Sequence, residues 1–151
     1  MSVRFSETYV GDFETTVFVG QTFTEVWASA LVKMHDENVV VHNSISDTFA
    51  YLTSLKKNVV VYYHNLKFDG SFWLNFLLSN TKLKEARKLT GITDTSFTYC
   101  DTEEMPNNSF KYVISDMGQW YSITIKYHSH YIEFRDSLKL LPLSLDRKSV
   151  V

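Results

Sequence analysis

The chain has 151 residues, 44% hydrophobic and 21% charged, with a formal net charge of −2 and one cysteine, Cys100. That length suits a single domain with a real core, the composition excludes a disordered chain, and the lone thiol excludes an internal disulfide and fits a reducing cytosol. The charge excludes a broad basic field, no apolar run approaches a membrane span, and the polar N-terminus lacks a signal peptide's basic and apolar regions.

Thr8 to Thr15 reads as a strand, with Tyr9, Gly11 and Phe13 on one face and Val10, Asp12 and Glu14 on the other. Like charges two apart on one face repel unless a cation sits between them. Alone, Asp-x-Glu also fits an exposed edge strand. Thr24 to Met34 and Asn38 to His42, separated by the polar turn His35-Asp36-Glu37, complete an antiparallel meander. Ser46 to Leu55 places Phe49, Leu52 and Leu55 at helical spacing, with Ser46 or Asp47 as cap and Lys56-Lys57-Asn58 as the stop.

Val59 to Tyr63 reads as a buried strand returning parallel to the first through a right-handed crossover. The polar and aromatic run Tyr62-Tyr63-His64-Asn65-Leu66-Lys67-Phe68-Asp69 follows, and Phe72 to Leu78 reads as a helix. Asp69 then lies near a helix N-terminus, where free N–H groups favour negative charge. The parallel pairing brings Asn65 and Asp69 toward the carboxylates of the first strand, so Asp12, Glu14 and Asp69 are expected to converge on a shared ion.

Lys82 to Leu89 reads as an extension of that helix, with Lys82, Lys84, Arg87 and Lys88 as a basic face, either solvated or contacting phosphate. Thr90 to Asn108 reads as a long surface loop holding an inert Cys100. Ser109 to Asp116 and Gln119 to Tyr127 form a β-hairpin around Met117-Gly118, and Tyr131 to Phe134 adds a strand leading into Asp136-Ser137-Leu138-Lys139 and Pro142. His128 and His130 could share a strand face, but no third ligand follows at zinc-like spacing. The aromatic content of 15% suits either a Tyr-rich core or a groove for unpaired bases, and composition does not choose.

Gly11-Asp12-Phe13-Glu14-Thr15-Thr16, His64-Asn65-Leu66-Lys67-Phe68-Asp69-Gly70 and Asp136-Ser137-Leu138-Lys139, in that order, resemble the N-terminal 3′–5′ exonuclease domain of protein-primed family-B DNA polymerases of bacteriophages. The resemblance runs from about Tyr9 to Pro142. It implies an α/β, ribonuclease-H-like domain, a mixed β-sheet with flanking helices plus a β-hairpin, that trims mispaired nucleotides from a primer's 3′ end. It implies that Asp12, Glu14 and Asp69 are catalytic carboxylates holding Mg²⁺ or Mn²⁺. Two such ions roughly 4 Å apart activate water and stabilise the leaving oxygen, and oxygen donors suit these metals.

The same resemblance implies that Thr15, Tyr62, His64, Asn65, Phe68, Ser137 and Leu138 hold the single-stranded DNA 3′ end. Phe72 matches a position associated with the strand and with a terminal primer protein, and is equally a core residue. A monomer in the cytoplasm of an infected or lysogenic bacterial host is expected. The family's later Tyr-x-x-x-Asp motif is expected beyond residue 151, so the domain reads as C-terminally truncated. The copy at Tyr112 to Asp116 falls in a strand, where residues four apart stand about 13 Å apart rather than roughly 6 Å. The chain by itself is therefore expected to be a weak or inactive exonuclease, and the alternative is a truncated module, weak or inactive in catalysis, that binds single-stranded DNA or a protein partner. A free-standing ribonuclease of the same fold is a further one.

Overall fold

A computed structural model describes residues 3–16, 25–36, 38–64, 66–89, 97–99, 101–114 and 120–137. Strand β1 (Glu7–Thr15) buries every second residue, Glu7, Tyr9, Gly11 and Phe13, as a strand with one covered face must. It pairs antiparallel with β2 (Val26–Lys33), which pairs antiparallel with β3 (Val39–His42), giving the expected meander.

Helix α1 (Ile45–Ser54) is capped by Ser44, whose hydroxyl accepts from the Asp47 N–H at 3.0 Å. The cap is therefore neither Ser46 nor Asp47. Ser44 has the extended backbone that a capping residue needs and lies at the right offset for its oxygen to reach the third helical N–H. Ser44→Ala is expected to lower stability by about 1 kcal/mol, measured by urea denaturation. At the other end Lys56 takes the left-handed conformation (φ 52°) and stops the helix.

Strand β4 (Val59–Tyr63) runs parallel to β1 and, on its other side, to β10 (His130–Asp136). Asn58 fastens the starts of all three. Its carbonyl accepts from Ser6 N–H at 2.8 Å, its Nδ2 donates to Arg4 O at 3.0 Å, and its Oδ1 accepts from Tyr131 N–H at 2.9 Å.

Helix α2 (Leu66–Asn80) buries Leu66, Trp73, Phe76 and Leu77, one stripe at helical spacing, on the Phe13–Tyr63–Phe134 side of the sheet. It does not continue through Lys82 to Leu89. Thr81 Oγ1 donates to Leu77 O at 2.7 Å and accepts from Leu83 N–H at 3.3 Å, satisfying the groups the next turn would use. Lys84 and Ala86 then donate to Asn108 O and Phe110 O, and the segment becomes β5 (Lys84–Glu85) and β6 (Arg87–Leu89). The basic helical face expected there does not form.

The stretch expected as an open loop holds β7 (Phe97–Tyr99), paired with β6, and a 3₁₀ turn at Thr102–Glu104 that leads to the buried Met105. Strands β8 (Ser109–Ile114) and β9 (Trp120–Tyr127) form the expected antiparallel pair, and Tyr112 lies on a strand. Cys100, Asp116 and Met117-Gly118 lie outside the described residues.

The main sheet has the order β3-β2-β1-β4-β10-β9-β8-β5, a mixed α/β arrangement with both helices packed on it. A smaller cluster, Ala86, Met105 and Tyr131 with Val3 and Phe5, packs apart from the main core.

Candidate functional site

The carboxylates of interest lie where β1 outruns β4. Gly11 is the last β1 residue paired to β4, opposite Tyr63, and β4 turns directly into α2. A Cβ at Gly11 would stand 2.6–2.9 Å from the Tyr63 ring, so only glycine allows this approach. Tyr63 in turn accepts from Trp73 Nε1–H at 3.1 Å. Gly11→Ala is expected to cost about 1–3 kcal/mol through overpacking, read as a lower urea midpoint.

Asp69, in the first turn of α2, is only 6% exposed. Burial, reinforced by the charge of Asp12, pushes its carboxyl up to about 7. Asp12 thus lies near enough for its charge to disfavour ionisation of Asp69. Glu14 is exposed, three residues past the end of the β4 pairing, at a register shift against β2 between Glu14 and Thr15. Among the described residues no three His, Cys, Asp or Glu side chains are gathered closely enough to hold a metal ion. The expected three-carboxylate convergence is therefore not present; the site rests on the Asp12–Asp69 pair, with Glu14 beyond it.

Glu7, at the opposite end of β1, supplies a contrast. It too is buried, but it receives Lys33 Nζ at 2.8 Å, Lys57 Nζ at 3.1 Å and the Tyr9 hydroxyl at 3.3 Å. Its pKa is lowered, chiefly by the Lys33 hydrogen bond and against the effect of burial. Among the described residues no side-chain cation pairs with Asp69. Two carboxylates with hard oxygen donors and no protein countercharge suit a divalent cation such as Mg²⁺ or Mn²⁺.

Beside the pair runs an aromatic ladder. Phe68 is 47% exposed and meets Phe72 edge-on at 5.1 Å, and Phe72 meets Phe13 edge-on at 6.2 Å. Phe72 is half-buried against the core, so the packing part of its dual reading holds. It also lines a groove of about 750 Å³ with Asn75, Ser44 and Glu25.

His64 is exposed between β4 and α2, Thr15 is half-buried at the end of β1, and Ser137 is half-buried just after β10. Tyr62 is not gathered with the ladder. Alternation turns it to the sheet face opposite Tyr63, where its hydroxyl accepts from Arg135 Nη1 at 3.4 Å. Arg135, also ion-paired with Glu133 and lying over the Phe5 ring at 5.2 Å, escaped the sequence reading. Its place one residue before Asp136, with the parity of Glu133, was the available signal. His128 and His130 do not share a strand face, because His128 (φ 46°) occupies the β9–β10 turn. Asn65 and Leu138 lie outside the described residues.

This α/β arrangement is shared with bacteriophage DNA polymerases. The structure of Phi29 DNA polymerase complexed with primer-template DNA and incoming nucleotide substrates aligns with a TM-score of 0.67 and 28% identity, over 97% of this chain and 23% of that one. The same polymerase complexed with single-stranded DNA aligns with a TM-score of 0.65 and 30% identity, over 93% of this chain and 22% of that one. The DNA polymerase of Streptococcus phage Cp-1 is 34% identical in an alignment of 150 residues that covers 91% of this chain and 22% of that protein. The model of the family DNA polymerase type B, organellar and viral, matches residues 52–150, and the chain belongs to that family. It spans 22% of the length of the Cp-1 relative.

Proposed function

We propose that this chain carries the 3′–5′ proofreading exonuclease site of a protein-primed bacteriophage DNA polymerase, acting on single-stranded DNA ends. The observation that carries the reading is Asp69. It is a buried carboxyl pushed up to about 7 beside Asp12, in a fold that gives its other buried carboxylate two lysines. Asp12 and Asp69 would hold Mg²⁺ or Mn²⁺, with Glu14 standing beyond the pair. Divalent ions bound there supply an activated water and stabilise charge on the leaving oxygen.

The chain's own residues position the strand. Phe68 offers an open ring on which the terminal base stacks, and Phe72 and Phe13 hold that ring in place. Stacking tolerates any base, as proofreading requires. Thr15, His64 and Ser137 border the same end of the sheet, and Asn65 and Leu138 complete the proposed strand contacts. In the reaction the water oxygen bonds to phosphorus as the bond to the 3′ oxygen breaks, and a nucleoside 5′-monophosphate leaves. The parent protein would also polymerise and engage a terminal primer protein, within the cytoplasm of its bacterial host. The DNA complexes of the Phi29 polymerase support the choice of substrate.

The test is degradation of a 5′-labelled single strand with Mg²⁺ or Mn²⁺, comparing the protein with its Asp12→Ala/Asp69→Ala variant. For this chain by itself only weak shortening from the 3′ end, absent from the variant, is expected. Robust and equal shortening by both proteins overturns the assignment. Phe68→Ala is expected to weaken oligonucleotide binding about tenfold at low salt, since each base–aromatic stack contributes about 1–3 kcal/mol. Unchanged affinity in a titration would remove Phe68 from the groove.

A further inference from the structure

A second cavity, of about 500 Å³, opens at the other end of the sheet. Tyr127 pairs with His130 at the start of β10, whereas Asp136, at its end, pairs with Tyr63 beside the acidic pair. Six strand steps separate those ends, about 20 Å, so this cavity lies away from the acidic pair, although it adjoins the Phe72 groove through the shared residues Ser46, Phe76 and Asn80.

Its floor is aromatic. Phe49 meets Phe76 at 5.5 Å and Tyr127 at 5.6 Å, both edge-on. Its rim carries the exposed Lys82 and His128 with Asn80 and Asn108, and no carboxylate lines it, in a chain whose net charge is −2.

The rim is also held at a conformational cost. His128 and Ser129 both have positive φ (46° and 75°), a two-residue hairpin turn that ordinarily selects Asn-Gly. The Asn108 and Asn107 side chains accept from the His128 and Ser129 N–H groups at 3.4 and 2.9 Å and pin the turn. His128 also packs edge-on against Tyr127 at 4.3 Å, which holds its ring at the cavity rim.

We propose that this cavity is a second nucleotide site. The base would lie against Phe49 and Tyr127, and its phosphate would lie between Lys82 and His128. The chemistry fits either a free nucleoside 5′-monophosphate or one nucleotide of a passing single strand. This reading goes beyond hydrolysis at the acidic pair and does not depend on it.

The test is a titration with dAMP, with adenosine and with a short oligonucleotide, followed by backbone and histidine NMR shifts in chelator, so that no metal acts at the acidic pair. Millimolar dAMP is expected to move the signals of Lys82, His128 and Tyr127. Adenosine and the Lys82→Glu variant should each bind about tenfold more weakly, the effect of losing one charged hydrogen bond. His128→Asn, which suits the turn better, should fold normally and also weaken dAMP binding. The Asp12→Ala/Asp69→Ala variant should bind dAMP unchanged. Shifts at the cavity with the oligonucleotide alone assign the site to a strand rather than to free nucleotide. The proposal fails if neither ligand moves the cavity signals, if Lys82→Glu binds both as well as the parent does, or if the double variant loses binding.

Discussion

Trp73→Ala is expected to lower the stability of the chain by about 3–5 kcal/mol, enough to leave a marginal domain partly unfolded at room temperature. Trp73 is fully buried and stacks on Phe134 with centroids 4.3 Å apart and planes 22° from parallel. It also meets Phe13 at 5.9 Å and donates to the Tyr63 hydroxyl. Those three partners belong to β10, β1 and β4, so truncation leaves a cavity among the three central strands and strips Tyr63 of its donor. Trp73→Phe keeps much of the packing and loses the donor, and should cost about 1–3 kcal/mol. Urea denaturation of both variants checks the pair. A loss below 1 kcal/mol for Trp73→Ala would mean that these strands do not share one core.

The second large effect concerns Asp69 and pH. Its folded carboxyl is pushed up to about 7, while in the unfolded chain it titrates near pH ~3.9. Below that lower value both states are protonated and the group is neutral to folding. As pH rises through 7, the folded state must hold a poorly solvated charge beside Asp12 that the unfolded chain leaves in water, so stability is lost. In chelator, Asp69→Asn should therefore be more stable than the parent at pH 8 by about 2 kcal/mol, a figure halved for solvent screening, and no different at pH 4. Taking the difference between the two proteins cancels Glu7, whose lowered pKa works in the opposite sense and weakens the fold as pH falls. If the proposed ion is held by both carboxylates, adding Mg²⁺ at pH 8 should stabilise the parent and leave Asp69→Asn little changed. A variant less stable than the parent at pH 8 in chelator would show that the buried charge is already compensated.

Much of this was legible in the residues. Period-two alternation placed Tyr9, Gly11 and Phe13 opposite Asp12 and Glu14, because β1 has a single covered face. The valines before Tyr62 announced a central parallel strand, and the chain does return beside β1. Lys82 to Leu89 misled because Lys, Leu, Glu, Ala and Arg are good helix formers, and propensity does not register the pairing that Phe110 and Asn108 offer. Ser44, Ser46 and Asp47 are all competent caps, and only the backbone at Ser44 decides among them. At the site, the shared face of Asp12 and Glu14 was readable. That β1 outlasts β4, leaving Glu14 apart, depends on register, which no local pattern encodes. The need for glycine at position 11 was hidden for the same reason, since it arises from the ring of Tyr63 on a neighbouring strand.

Asn58 sets the origin from which three strands are measured. Side chains alternate, so sliding β10 by one residue against β4 would turn Phe134 out of the core and bring Arg135 in. By tying Arg4, Ser6 and Tyr131 to one residue at the near end, through its side-chain amide and its backbone carbonyl, the chain fixes how far each strand has run when it reaches Asp12, Tyr63 and Asp136. The alignment of those distant tips is thus a matter of counting, decided about 20 Å away by a residue that touches none of them.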